Sequence, residues 1–197
     1  MAALERLLRD QEFEMISVQD IAKEAGVAVG SVYSHFKDKN AFLEALLLYW
    51  QNQVETQLEL AEAQDTQAAF IALGNLKAAL FEATKSVHQQ VTENGHILRA
   101  VHTYARLHPE AADDEWQALV VRSFAPIGDL FEVFADEITL RDPALGARML
   151  GVFFNTIFIR AALMPQDTLL DAAGLDDDTM IGEVTDMSYA YLTLPRD

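Results

Sequence analysis

Residues Ser17 to Lys39 read Ser-Val-Gln-Asp-Ile-Ala-Lys-Glu-Ala-Gly-Val-Ala-Val-Gly-Ser-Val-Tyr-Ser-His-Phe-Lys-Asp-Lys, and the punctuation of this stretch decides the fold. Ser17 with Asp20 three residues on has the form of a capping box, and Ile16 and Ile21 stand where a hydrophobic staple would fix the approach of the chain, so a helix is expected from Val18. Gly26 sits where a left-handed residue would stop that helix, and Val27 follows in the place that closes a Schellman turn. A second short helix, expected from about Val29 to Phe36, begins too soon for the pair to lie antiparallel. The two must cross steeply, as in a helix-turn-helix.

On that second helix Val32 and Phe36 lie four apart and are expected to pack inward, which leaves Val29, Gly30, Ser31, Tyr33 and Ser34 facing outward. A face of small side chains suits close approach to a DNA groove. Gly30 lets backbone come near, Val29 can meet a thymine methyl, and Ser31 can hydrogen-bond a base edge or a phosphate. His35 completes the candidate face, and Ser17 with the start of the next helix near Lys39 can offer donors to phosphates.

Val18, Asp20-Ile21-Ala22, Ala25-Gly26-Val27, Gly30, Tyr33, Phe36 and Lys39 fall at spacings that resemble the DNA-binding signature of the TetR family of bacterial transcriptional regulators. The resemblance covers residues 13 to 47. It implies an all-α chain: an N-terminal, homeodomain-like three-helix domain (1–49) and a larger helical ligand-binding and dimerisation domain (50–197), about nine helices in all. It also implies that Tyr33 and Lys39 contact phosphates, and that the last two long helices build a four-helix dimer interface. Three features depart from the family pattern: the basic arm that relatives carry before the first helix is either absent or lies upstream of this start, Glu12 stands where relatives have Gly, and Ala28 where they often have a capping Ser.

Composition sets limits on this reading. With 197 residues, 51% of them hydrophobic, the chain can bury a real core. It has no cysteine, which excludes disulfides and thiolate metal sites. The first residues lack a signal peptide's basic start and apolar middle, and the apolar run from Met149 to Met164 is interrupted by Asn155 and Arg160, so a cytoplasmic protein with no membrane partner is expected. The net charge of −17 opposes non-specific DNA affinity. The acid is concentrated away from the motif: residues 1–50 hold five Lys or Arg against eight acids, the remainder nine against 23.

Working outward, Leu4, Leu7, Leu8 and Phe13 mark a short first helix. Asp38 can cap a long one through Phe42, Leu46, Trp50, Val54 and Leu58. Asp65-Thr66 opens a helix with Phe70, Leu73, Leu76, Leu80 and Phe81 inward, and Ile97 to Leu107 form another, ending at His108-Pro109. A further helix from Asp113 to Phe134 is expected to kink at Pro126. Asp142-Pro143 starts a helix that is apolar nearly all round, which asks for partners on both faces, one of them a second subunit. An acidic loop, Asp171 to Asp178, precedes the last helix.

Polar groups set in apolar helices, His102, Tyr104, Arg122 and Asn155, are the candidate handles of an effector pocket, with Trp116 and Phe124 supplying bulk. Phe153, Phe154, Ile157 and Arg160, with Val184, Met187 and Tyr191, are the candidate dimer contacts. The spacing of His88, His96, His102 and His108 does not gather metal ligands on one helical face, so neither metal nor cofactor is expected. The sequence has no phosphate cradle, nucleophile elbow or His-Glu-x-x-His, and no catalytic residue is assigned. The expectation is a homodimeric repressor that binds a pseudo-palindromic operator as double-stranded DNA and leaves it when a small apolar or amphipathic effector binds. The alternative is a hydrophobic-ligand binding or interaction protein of the same architecture that has lost operator binding.

Overall fold

In the computed structural model, which describes residues 1–111, 113–165 and 172–195, every described element is helical. Contacts divide the chain into two compact units, Met1–Thr56 with Asn94–Leu119, and Gln57–Glu93 with Val120–Asp197.

The first unit holds α1 (Ala2–Asp10), a 3-10 turn (Phe13–Met15), α2 (Val18–Ala25), α3 (Val29–Tyr33), most of α4 (Asn40–Glu62), α7 (Gly95–Leu107) and the start of α8 (Asp114–Arg122). Leu4, Leu8, Phe13, Ile16, Ile21, Val32, Phe42, Leu46 and Trp50 are buried, and so are Ile97, Leu98 and Val101 of α7. The boundary expected after Tyr49 therefore differs from the contact grouping. Helix α7 lies far along the chain but packs on α1, and Arg99 pairs with Glu12 at 2.9 Å. Such long-range docking leaves no mark in local periodicity.

The second unit contains the end of α4, α5 (Thr66–Leu73), α6 (Leu76–Glu93), the end of α8, α9 (Ala125–Val133), α10 (Pro143–Leu163) and α11 (Asp177–Thr193). Its core joins Phe70, Leu76, Leu80, Leu130, Phe131, Phe134, Leu150, Phe154, Phe158, Met180, Val184 and Leu192. Two expected helices are each divided. Gly74, at φ +86°, closes α5 before α6 begins, a conformation that costs glycine little. The expected kink at Pro126 is instead a break: α8 stops at Arg122, the Ser123 hydroxyl donates to the Val120 carbonyl, and Pro126 sits in the first turn of α9, where its missing N–H is not needed.

Helix caps follow the sequence elsewhere. Asp65, Asp142 and Asp176 each accept a backbone N–H three residues on, from Ala68, Leu145 and Thr179. Asp176 thus spends its carboxylate as a cap, while Asp171, at the other end of the expected acidic loop, lies outside the described residues. Helix α10 spans 21 residues and is long and apolar enough, by length and composition, to cross a membrane. Soluble core helices pass the same test, and here Leu150, Phe154 and Phe158 enter the second unit's core.

Candidate nucleic-acid interface

The local chemistry of α2 fixes the position of α3. The Ser17 hydroxyl accepts from the Asp20 N–H at 3.1 Å, and the Asp20 carboxylate accepts from the Ser17 N–H at 2.9 Å and hydroxyl at 2.6 Å. These hydrogen bonds, the hydroxyl's first, hold the Asp20 carboxyl below the usual aspartate value. At the other end Gly26 lies at φ +69°, its N–H reaching Lys23 O and the Val27 N–H reaching Ala22 O, which is a complete Schellman closure. Val27 itself stays 48% exposed, so the turn rests on hydrogen bonds more than on its side chain.

Helix α3 is shorter than expected, five residues, and Ala28 gives it no side-chain cap. Turn hydrogen bonds carry the chain on to Phe36, with Ser34 N–H to Gly30 O and Phe36 N–H to Val32 O. A helix this short holds only through tertiary packing. Val32 supplies it by burial, and Phe36 stacks on Phe42 of α4 with ring centroids 4.1 Å apart.

Val29, Gly30, Ser31, Tyr33, Ser34 and His35 are all exposed, Tyr33 at 55%. The Ser34 hydroxyl donates to Ser31 O at 2.7 Å, and His35 Nδ1 lies 3.0 Å from both Ser31 O and Ser34 Oγ. Two such acceptors favour the Nδ1–H tautomer, leaving Nε2 as an acceptor for a partner. Two members of the predicted set are committed differently. Both Ser17 donors go to Asp20, so Ser17 keeps none for a phosphate. Lys39 is half-buried, donates to Glu14 O at 2.8 Å and lies 4.8 Å from the Phe13 ring centre.

The six predicted effector residues divide between the two units. His102, Tyr104 and Trp116 belong to the first unit, Arg122, Phe124 and Asn155 to the second. Desolvation holds His102 below the usual histidine pKa although its outer edge is exposed, and Tyr104 stacks on His108 at 4.4 Å. Trp116 is half-buried in the first turn of α8, its backbone N–H donating to the Asp113 carboxylate. Arg122 makes a forked pair with Glu62, Asn155 is exposed, and Phe124 fills the space over Gly151, where a Cβ would meet its ring at 2.8 Å. The second unit does have a cleft of about 550 Å³, lined by other residues, among them Leu73, Lys77, Phe81, Gly182, Glu183 and Asp186.

Of the predicted dimer contacts, Phe154 and Val184 are corrected: at 4% and 2% exposure they are core of their own unit. Phe153, Ile157 and Tyr191 pack partly against the same core, while Arg160 and Met187 are exposed. The apolar residues that α10 leaves in water are Leu145, Met149 and Val152, spaced four and three apart on one face. Sequence reading missed them because the helix is apolar nearly all round.

In the first unit Glu5 accepts from the Tyr49 hydroxyl at 2.8 Å and from Arg9 at 3.2 Å, with buried His96 3.9 Å away. The hydrogen bond to this carboxylate pushes the Tyr49 pKa up. Among the described residues no three metal-ligating side chains gather.

A helical chain with a helix-turn-helix near its N-terminus, the second helix open to water along one side, belongs to the helix-turn-helix class of folds. Residues 1–46 match the family model of bacterial regulatory proteins of the tetR family. The HTH-type transcriptional regulator EthR of Mycobacterium tuberculosis is 31% identical over 100 residues, 51% of this chain and 46% of that protein, so the match spans about half the length of the curated relative. Two solved structures share the fold over nearly the whole chain. A TetR-family protein from Mesorhizobium loti has TM-score 0.63 and 17% identity, covering 96% of this chain and 90% of that one. PfmR from Thermus thermophilus has TM-score 0.60 and 19% identity, covering 98% and 97%. The N-terminal 46 residues therefore resemble the DNA-binding part of that family of bacterial regulators, and the chain as a whole shares the fold of the two solved TetR-family structures.

Proposed function

We propose that this protein is a DNA-binding transcriptional regulator, a homodimeric repressor whose two α3 helices enter successive major grooves of a pseudo-palindromic operator, roughly 34 Å apart. The observation that carries this reading is the outward face of α3: Val29, Gly30, Ser31, Tyr33, Ser34 and His35 stand in solvent while Val32 is buried beneath them. Ser31 and His35 offer hydrogen-bonding groups, and Gly30 leaves the backbone bare. A second copy of the chain is the natural cover for the Leu145, Met149 and Val152 face, with Met187 of α11, since exposed apolar patches of this kind mark association surfaces.

A small apolar or amphipathic effector completes the proposal. The cleft of the second unit offers Leu73 and Phe81 beside charged Lys77, Glu183 and Asp186, walls suited to a molecule with both characters. Its effect on operator binding is limited to its difference in affinity for the two dimer shapes. Selection from a randomised duplex pool at low salt, followed by gel shift, tests the central reading. An enriched palindrome with half-sites about one helical turn apart is expected; a pool that stays random counts against it.

A further inference from the structure

We propose that Lys37, and not Lys39, is the cation with which the reader helix neutralises a DNA phosphate, and that Lys39 is a clamp holding the reader in place. The inference rests on the operator-binding reading above. Residues 1–50 contain five cationic side chains. Arg6 is committed to Glu24, through a 2.6 Å pair and a second contact to the Glu24 carbonyl. Arg9 is committed to Glu5. The Lys39 ammonium is held by Glu14 O at 2.8 Å and by the Phe13 ring, so reaching a phosphate would break both contacts and uncover Phe13, which is 5% exposed.

Two cations remain, and they differ. Lys23, on α2, shares its field with Asp20, whose carboxyl it helps to hold below the usual value. Lys37 directly follows Phe36 at the end of the reader's last turn and is exposed, with no hydrogen bond or ion pair among the described residues. Its neighbour Asp38 is already occupied, accepting the Ala41 N–H at 3.0 Å as the cap of α4. Lys37 is therefore the cation beside the reader that can meet a phosphate without giving up a contact within the chain. Lys39, joining the loop before α4 to the 3-10 turn ahead of α2, is a positioning residue.

The test compares wild type, Lys37→Ala, Lys37→Arg and Lys39→Met by thermal melting and by the salt dependence of binding to a selected palindromic duplex. Each phosphate neutralised contributes about 0.9 to the slope of log K against log salt, so Lys37→Ala in both protomers is expected to make the slope about 1.8 less negative, and Lys37→Arg to restore it. Melting of these two variants is expected to match wild type. Lys39→Met keeps the aliphatic stem and is expected to lower the melting midpoint by roughly 2–4 °C while leaving the slope as it was. A slope unchanged by Lys37→Ala, or reduced by Lys39→Met, overturns the assignment with the operator reading intact. A wild-type protein that binds no duplex at low salt overturns the operator reading and the Lys37 role together, and the melting of Lys39→Met then decides the clamp by itself.

Discussion

Two exposed surfaces of this protein leave apolar groups in water, and they are built in opposite ways. On α3 the outward residues are small or carry a polar end: Gly30, Ser31, Ser34 and His35, with Val29 and the ring of Tyr33. On α10 they are wholly apolar: Leu145, Met149 and Val152, each about half exposed. The first surface can admit a partner close to its backbone and present hydrogen-bonding groups to it. The second gains chiefly by covering apolar area, with exposed Arg148, Asn155 and Thr156 close by along the helix. Side-chain chemistry on an open helix face thus separates a surface fit for a groove from one fit for a second copy.

The largest expected effect breaks the α10 side of this comparison into its two faces. Phe154→Ala, inside the core, should cost about 3–5 kcal/mol of folding stability in denaturant titrations, with no selective loss of self-association. Val152→Glu should do the reverse, leaving the melting of the protomer near wild type and weakening self-association in sedimentation by on the order of 100-fold, since a buried unpaired carboxylate costs about 3 kcal/mol or more. A dimer unaffected by Val152→Glu would move the association surface elsewhere.

On the reader side the effects are smaller. Ser17→Ala removes the capping box and should cost about 1 kcal/mol. The Asp20 carboxyl has a lowered pKa in the folded chain, so its contribution is present above the unfolded value near 3.8 and is lost as pH falls through the folded one. The difference between wild type and Ser17→Ala should therefore be full at neutral pH and narrow in acid to what the Asp20 N–H to Ser17 hydroxyl bond alone contributes; a difference that does not narrow as Asp20 is protonated would assign the loss to some other contact. Smallest is Ala28→Ser, which supplies the missing cap of α3 and should raise stability by about 0.5–1 kcal/mol in the same titration.

These contrasts also mark what is legible from sequence. Helix α2 can be read residue by residue because its start and stop are written in adjacent positions, Ser17 with Asp20 and Gly26 with Val27. The outward face of α3 follows from the four-residue spacing of Val32 and Phe36. Helix α10 resists the same reading: with apolar residues nearly all round, period does not tell core from cover, and the size of Phe154 suits either. The usable signal is the glycines. A Cβ at Gly146 would collide with Leu140 and one at Gly151 with Phe124, so these two mark where α10 is closely approached within its own unit. The division of α5 from α6 is likewise signalled by Gly74. By contrast, the ties of Ser17 and Lys39 to their own chain depend on side-chain geometry that spacing does not encode, and so does the docking of α7 on α1.

The most direct measurement uses Gly30, where a Cβ would meet nothing within 4 Å and the backbone has no need of glycine. Gly30→Leu should therefore fold as well as wild type or better, by up to about 1 kcal/mol of helix propensity, while its added bulk stands where the reader must approach the groove. The prediction is an unchanged or raised melting midpoint together with a loss of at least about tenfold in affinity for the selected palindrome, the equivalent of roughly 1.4 kcal/mol. Full affinity in a well-folded Gly30→Leu protein would contradict the assignment of this face to DNA.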